Sequence, residues 1–149
     1  MAMIHLPPDF KDFLQLLNSH QVEYLLIGGY AVGYHGYPRA TGDMDIWIAM
    51  HPQNAEKVVA ALREFGFDLP ELQVEMFLEE KQVIRIGTPP LKIDITTSIS
   101  GVSFAECYAE RIVETFDGIP VNVINLNHLK TNKKASGRLQ DLTDLQNLP

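Results

Sequence analysis

Residues 22–48 read VEYLLIGGYAVGYHGYPRATGDMDIWI and contain two apolar runs separated by a glycine pair. An apolar run ends at Ile27 and is followed directly by the pair Gly28-Gly29. A second apolar run opens with Asp43-Met44-Asp45-Ile46. Short apolar runs that glycine interrupts are typical of buried strands, and glycine permits a tight turn out of a strand. The stretch therefore predicts two core strands, over 22–27 and 44–50, with a short helix between them.

Three aspartates on the apolar runs predict one site. Side chains alternate between the two faces of a strand, so Asp43 and Asp45 point the same way while Met44 points into the core. Asp94 stands between Ile93 and Ile95 in a third apolar run. If the strands are neighbours, three carboxylates converge, and their mutual repulsion calls for a cation. Mg²⁺ relieves such repulsion through oxygen ligands and keeps positions open for phosphate, so the pattern predicts a phosphoryl or nucleotidyl transfer site.

The ordered set of motifs resembles the polymerase-β-like nucleotidyltransferase superfamily. The resemblance rests on the apolar-Gly-Gly turn, on Asp-x-Asp about a dozen residues later, and on the lone strand Asp94. Residues 39–46, RATGDMDI, make it more specific and are similar to small bacterial nucleotidyltransferases related to abortive-infection toxins. The C-terminal segments 127–130 (NHLK) and 136–145 (SGRLQDLTDL) support this closer match. The resemblance covers roughly residues 22–148.

The resemblance implies roles for individual residues. Two Mg²⁺ ions would be held by three aspartates that are also the catalytic residues: Asp43, Asp45 and Asp94, with Asp94 as the base. Basic residues of the helix after the core lean over the triphosphate in this superfamily, which indicates Lys130 and Lys134, one helical turn apart.

The glycine turn and the loop before Asp43 supply further candidates for nucleotide binding. Bare backbone at Gly28-Gly29 would let the helix start approach the phosphates, although the pair would also serve as a plain turn. Arg39 and Thr41 lie just upstream of the carboxylates. Either the Arg39 guanidinium binds a phosphate, or the segment is a surface loop whose arginine pairs with an aspartate.

The implied activity is transfer of a nucleoside monophosphate from an NTP such as ATP to a hydroxyl acceptor. The resemblance allows RNA, a protein or a small molecule as acceptor. It also allows a role as a toxin–antitoxin component, with a cognate partner or a second copy of the chain supplying the acceptor surface. The alternative is a catalytically idle nucleotide-binding or interaction domain of the same fold, against which the presence of all three carboxylates argues.

Composition limits the class of protein. The chain has 149 residues, 46% of them hydrophobic, which suits one domain with a substantial core. Its net charge of −7 predicts that the protein as a whole repels nucleic acid and does not wrap it. The single Cys107 excludes an internal disulfide, and the five histidines show no zinc-type spacing. No stretch reads as a membrane span or signal peptide, so the expected location is the cytoplasm.

The expected organisation is a single nucleotidyltransferase domain over 1–149. Its core would occupy about 22–124 and a helical segment about 125–149. The predicted class is α/β or α+β, a mixed sheet flanked by helices. Beyond the first two strands and the helix over 30–36, the patterns predict helices after Pro7-Pro8 and over 52–65, 104–111, 126–135 and 138–148, and strands over 82–86, 91–97, 112–116 and 119–124. Residues 87–90 read as a turn, Asp117-Gly118 as a hairpin, and the interval 70–80 is ambiguous.

Overall fold

A computed structural model describes residues 5–88 and 91–149 of the chain. The predicted turn residues Pro89 and Pro90 lie outside the described residues. The six helices of the described part are α1 (Pro8–Ser19), α2 (Gly28–Tyr34), α3 (Pro52–Phe65), α4 (Phe104–Ala109), α5 (Leu126–Ser136) and α6 (Leu139–Asn147). A 3₁₀ helix, Val74–Phe77, occupies part of the interval that the sequence left ambiguous.

Six strands form one mixed sheet. They are β1 (Tyr24–Ile27), β2 (Asp43–Ile48), β3 (Val83–Thr88), β4 (Leu91–Thr96), β5 (Ile112–Phe116) and β6 (Ile119–Val123). Their spatial order is β3-β4-β2-β1-β6-β5. β2 runs parallel to β4 and antiparallel to β1, while β1 runs parallel to β6. The two edges are antiparallel hairpin partners, β3 with β4 and β5 with β6. The expected class, a mixed sheet flanked by helices, is therefore confirmed.

The two faces of the sheet have different coverings. Met44, Ile46 and Ile93 are buried on the face that α1 and α3 cover. The opposite face carries Asp43, Asp45 and Asp94 because side chains alternate along each strand. This opposite face, called here the carboxylate face, is covered at one end where Phe104 of α4 packs edge-on against the Trp47 ring at 5.1 Å.

The helix after the glycine pair begins earlier than the sequence predicted. α2 starts at Gly28 instead of Tyr30, because Gly28 adopts a left-handed φ of +67° and turns the chain directly from β1 into the helix. The amphipathic helix over Pro52–Phe65 has the predicted bounds, and Gly66 ends it in the left-handed conformation. Among the described residues, no helix is both long enough and apolar enough to cross a bilayer.

The buried amide of Asn54 ties two strand ends together at the start of α3. Its Oδ1 accepts from the Glu23 backbone N–H at 2.8 Å, and its Nδ2 donates to the carbonyls of Glu23 (3.1 Å) and Ala49 (2.8 Å).

Asn54→Ala should lower the free energy of unfolding by about 3 kcal/mol, since three hydrogen bonds are lost in a buried position. Chemical denaturation measures the loss. The control Asn147→Ala removes one exposed side-chain bond to Thr143 and should cost far less; equal losses would contradict the assignment.

Candidate active site

The strand register brings two of the predicted aspartates side by side. In the parallel β2–β4 pair, Asp45 lies directly opposite Asp94, and Asp43 lies opposite Lys92. All four side chains project from the carboxylate face because they share the same alternation. Asp94 is buried, while Asp43 and Asp45 are half-buried. The expected adjacency of the strands is therefore present, and it places three carboxylates on one face of the β2–β4 pair.

The glycine turn passes against the Asp45 carboxylate. A Cβ on Gly28 would lie 2.1 Å from Asp45 Oδ2, and the positive φ of Gly28 disfavours any side chain as well. A Cβ on Gly29 would lie 2.9 Å from Thr41 Oγ1 and 3.4 Å from Arg39 Nη1. The four residues predicted from the turn and its loop thus lie together beside Asp45. Bare backbone is required at this point because the strand end, the loop and the carboxylate occupy the same small volume.

Asp45 is electrostatically destabilised in the folded chain. Burial, and then the charges of Asp94 and Asp43, raise the pKa of Asp45 from 3.8 to about 6. Lys133 and Arg138 act in the opposite direction and lower the pKa of Asp45 only in part. A carboxyl group with this pKa carries an incompletely compensated charge at neutral pH, and such perturbed groups are concentrated at functional sites.

A buried ion cluster lies next to the carboxylates and joins the chain end to them. Lys133 Nζ is 3.2 Å from both Asp141 Oδ1 and Asp144 Oδ2. Arg39 binds Asp144 with two hydrogen bonds, Nε to Oδ1 at 3.0 Å and Nη2 to Oδ2 at 3.1 Å. Arg138 holds Asp141 in the same forked manner, at 2.8 and 3.2 Å. The loop before β2 is therefore fastened to α6, and Lys133 of α5 sits between them.

Both aspartates of this ion cluster stay ionised. Burial alone would raise the pKa of Asp141, but hydrogen bonds from Arg138, Ser136 and Lys133 outweigh it and hold that pKa well below its usual range. Burial likewise opposes ionisation of Asp144, and Arg39, Gln140 and Lys133 together lower its pKa. For Arg39, the reading in which an arginine pairs with an aspartate is the one seen here, although the partner comes from α6 and not from the strand.

The structure does not bring Lys130 and Lys134 to the carboxylates, so their expected orientation is wrong. Lys134 is exposed, and Lys130 Nζ donates to the carbonyl of Pro149 at the end of the chain. The buried residues of α5 are Leu129 and Lys133, four positions apart on one helix face. Each residue advances a helix by about 100°, so Lys133 turns inward while its neighbour Lys134 turns outward. The α5 lysine whose charge acts on Asp45 is Lys133.

Arg85 on the edge strand β3 completes the row of charges. It lies opposite Asp94 in the β3–β4 pairing, and its Nε donates to Asp94 Oδ1 at 3.2 Å. Its side chain is 67% exposed, compared with 11% for Asp94. Asp45, Asp94 and Arg85 therefore form one row across three adjacent strands.

Sequence reasoning missed five charged residues of this site: Lys133, Arg138, Asp141, Asp144 and Arg85. One signal was present, because Asp141 and Asp144 are three apart and lie one helical turn from each other. Periodicity, however, favours burying the leucines of α6, whereas Leu139 is 85% exposed and the two aspartates are fully buried.

The carboxylate oxygens of Asp43, Asp45 and Asp94 suit a hard cation whose remaining ligands come from the substrate. Within residues 5–88 and 91–149, no three acidic, histidine or cysteine side chains are gathered closely enough to hold a metal by themselves. Mg²⁺ does not require this, since proteins bind it through one or two carboxylates together with substrate phosphates. The adjacent Asp45 and Asp94, with Asp43 on the same face, supply oxygen ligands of this kind.

Comparisons with known proteins identify the family and the fold of the chain. The family model described as aminoglycoside-2″-adenylyltransferase matches residues 9–148. A Thermotoga maritima protein inferred to be a nucleotidyltransferase has a similar structure, with a TM-score of 0.63 at 15% identity over 95% of this chain and 94% of the other. An antigenic nucleotidyltransferase-like protein from Paracoccidioides brasiliensis gives a TM-score of 0.55 at 14% identity over 92% of this chain and 70% of the other. No curated protein sequence matches significantly.

The raised pKa of Asp45 predicts a pH-dependent stability. Between pH 4 and 6 the folded state binds a proton on Asp45 that the unfolded state releases, so this group's contribution to stability declines as pH rises. Asp45→Asn removes the carboxylate whose negative charge destabilises the folded state at high pH. With EDTA present, the variant should exceed the wild type in free energy of unfolding by about 2 kcal/mol at pH 8, and the difference should shrink below pH 4. Urea denaturation at both pH values measures it; a variant that is less stable at pH 8 would contradict the electrostatic reading.

Removing one buried charge should destabilise the ion cluster strongly. Asp144→Asn takes away the shared partner of Arg39 and Lys133 and leaves Lys133 with Asp141 alone. The expected loss in free energy of unfolding is about 3 kcal/mol, because a buried charge loses its compensation. Asp68→Asn breaks the exposed pair with Arg63 and should change stability by less than about 0.5 kcal/mol. Similar losses in the two variants would show that the cluster does not hold the fold.

Proposed function

This chain belongs to the aminoglycoside-2″-adenylyltransferase family, and we propose that it uses Mg²⁺ to transfer AMP from ATP to a hydroxyl acceptor. Nucleotidyltransferases generally use a divalent metal, and the family's name indicates ATP as the donor. The observation that carries the proposal is the pairing of Asp45 with Asp94 in the β2–β4 register, with Asp43 on the same face. In this proposal residues 1–149 form one nucleotidyltransferase domain, in which α5 and α6 return to the site.

The metal would be held by Asp43, Asp45 and Asp94, with two ions as the expected number. Bound Mg²⁺ would neutralise charge on the phosphate oxygens. It would also relieve the repulsion from Asp94 and Asp43 that, together with the larger effect of burial, raises the pKa of Asp45. The protein's contribution is the placement of the carboxylates, which the sheet register imposes.

The triphosphate would lie on the β1 side of the carboxylates. In this proposal the backbone of Gly28 and Gly29 at the start of α2 contacts the phosphates, and Thr41 and Arg39 lie beside Gly29. Lys133 replaces Lys130 and Lys134 as the proposed cation from α5, because it is the lysine that lowers the pKa of Asp45. Arg39 and Lys133 are already paired with Asp144, which holds both cations in place before nucleotide binds.

The proposed reaction is an in-line displacement at the α-phosphorus of ATP. Asp94 accepts the proton from the acceptor hydroxyl, the acceptor oxygen forms a bond to the phosphorus, and the bond to the β-phosphate oxygen breaks. Pyrophosphate leaves with the electron pair of that bond. The products are the adenylylated acceptor and pyrophosphate.

Incubation with ATP labelled at the α-phosphate tests the proposal. The protein should transfer label to an acceptor in the presence of Mg²⁺ and release pyrophosphate, with cellular RNA, cellular protein and an aminoglycoside as the acceptor panel. EDTA should abolish transfer, and Asp43→Asn or Asp45→Asn should lower it at least 100-fold, because metal ligation is worth several kcal/mol in the transition state. Asp68→Asn, which changes an exposed carboxylate, should leave it unchanged. Full activity in Asp45→Asn would refute the assignment of the site.

A further inference from the structure

The carboxylate face of β3 is an open strip beside Asp94. Val83, Arg85 and Gly87 share this face and are all exposed, Val83 to 54%, whereas Ile86 on the other face is buried. On β2, which β4 separates from β3, the same face is covered by α4, which packs on Trp47. An approach to Asp94 from the sheet edge therefore meets β3 first.

The two sides of the site carry different groups. The glycine turn, Thr41 and Arg39 border Asp45 from the β1 side. Arg85 lies on the β3 side, in contact with Asp94. Attack and departure at phosphorus occur in line, so an acceptor must come from the side opposite the departing pyrophosphate. If the proposed function holds, the triphosphate occupies the β1 side and the acceptor comes over β3.

Two cations lie on the acceptor side. Arg85 is opposite Asp94, and Lys92 is opposite Asp43 on the same face. Among the contacts of the described residues, Arg85 bonds to Asp94 through Nε alone, which leaves its Nη donors available for another oxygen ligand. Guanidinium groups bind phosphate through pairs of such donors.

From this arrangement we propose that Arg85, assisted by Lys92, binds a phosphate group of the acceptor close to its reacting hydroxyl. The acceptor is then an anionic molecule, such as a polynucleotide 3′ end or a phosphorylated sugar, and not a polycation. This assignment rests on the proposed function, because it needs the triphosphate on the β1 side. Arg85 would then help to determine which acceptor is used. Its side chain is exposed, so folding does not depend on it.

A structural role for Arg85 is the competing explanation. Charged side chains on edge strands prevent sheets from pairing with other chains, and β3 is an edge strand. Such a role needs a charged side chain on the edge strand, but it does not require that this side chain lie opposite Asp94. Its exposed pair with Asp94 would add little stability. The two explanations differ in what Arg85→Gln does to acceptor binding.

Acceptor preference provides the first test. The wild type is incubated with labelled ATP and one of four acceptors: a short RNA with a free 3′ hydroxyl, ribose 5-phosphate, ribose, and kanamycin. Transfer to the RNA or to ribose 5-phosphate, in preference to ribose and kanamycin, supports the assignment, and the better of the two identifies the source of the phosphate. Transfer to kanamycin alone overturns it and leaves the proposed function intact. Transfer to no acceptor contradicts both proposals.

Variants of Arg85 provide the second test. Arg85→Gln should raise KM for the preferred phosphate-bearing acceptor roughly tenfold or more and leave KM for ATP and the Tm unchanged, as expected for loss of a charge-assisted bond. Arg85→Lys should restore part of the affinity, and Lys92→Gln should show a smaller increase. The control Arg63→Gln removes an exposed arginine on α3, on the other side of the sheet, and should change none of these values. An unchanged acceptor KM in Arg85→Gln would refute the assignment.

Binding without catalysis gives an independent readout. Fluorescence anisotropy of a labelled short RNA, measured with EDTA and without ATP, should give a Kd that Arg85→Gln weakens several-fold. The slope of log K against log salt should fall by roughly 0.7, the value for one phosphate contact to a single strand. The same Kd and slope in Arg85→Gln as in the wild type would count against a phosphate contact at this residue.

Discussion

The repulsion between the carboxylates of Asp45 and Asp94 is the constraint around which the site is built. The register of two parallel strands holds them opposite each other, and the backbone hydrogen bonds of the sheet prevent either from moving away. Lys133 and Arg138 act on Asp45 from one side, and Arg85 contacts Asp94 from the other. Because burial and the charges of Asp94 and Asp43 together raise the pKa of Asp45 to about 6, the folded chain retains an unfavourable interaction that a divalent cation would relieve. Such local destabilisation is typical of sites selected for function and not for stability.

The buried ion cluster shows how the chain end becomes part of the site. Ionised side chains are costly to bury unless every partner is in place, and Lys133, Asp141, Asp144 and Arg39 satisfy one another only when α5, α6 and the loop before β2 are assembled. The cluster also explains the orientation of α6. This helix turns its aspartates inward and leaves Leu139 exposed, because the inward positions face cations and not apolar side chains.

Local charge at the site differs from the charge of the whole protein. The chain carries a net charge of −7, which alone would favour cationic ligands. Around the three carboxylates, however, cations lie on both sides, with Arg39 and Lys133 toward β1 and Arg85 and Lys92 toward β3. Once divalent metal compensates the carboxylates, these cations would make the site attractive to anions from either direction. The distribution of charge over the sheet face thus bears more directly on substrate choice than the total does.

Local sequence patterns predicted most of the helices and strands, and they predicted the three aspartates of the carboxylate face. Apolar alternation predicted the strands that carry Asp43, Asp45 and Asp94, helical periodicity predicted Pro52–Phe65 with its bounds, and the glycine pair marked the close turn. These features are local, since each depends on residues within one or two turns of chain. Other features of the site depend on tertiary contacts. Asp45 lies opposite Asp94, and Arg85 adjoins Asp94. Lys133, and not Lys130 or Lys134, faces inward, where Asp141 and Asp144 are buried. Each of these features depends on a partner from another element, and Arg39 and Asp144 are 105 residues apart in the chain. Local patterns could not reveal them, because the energy of a charge is set by the groups that surround it in space.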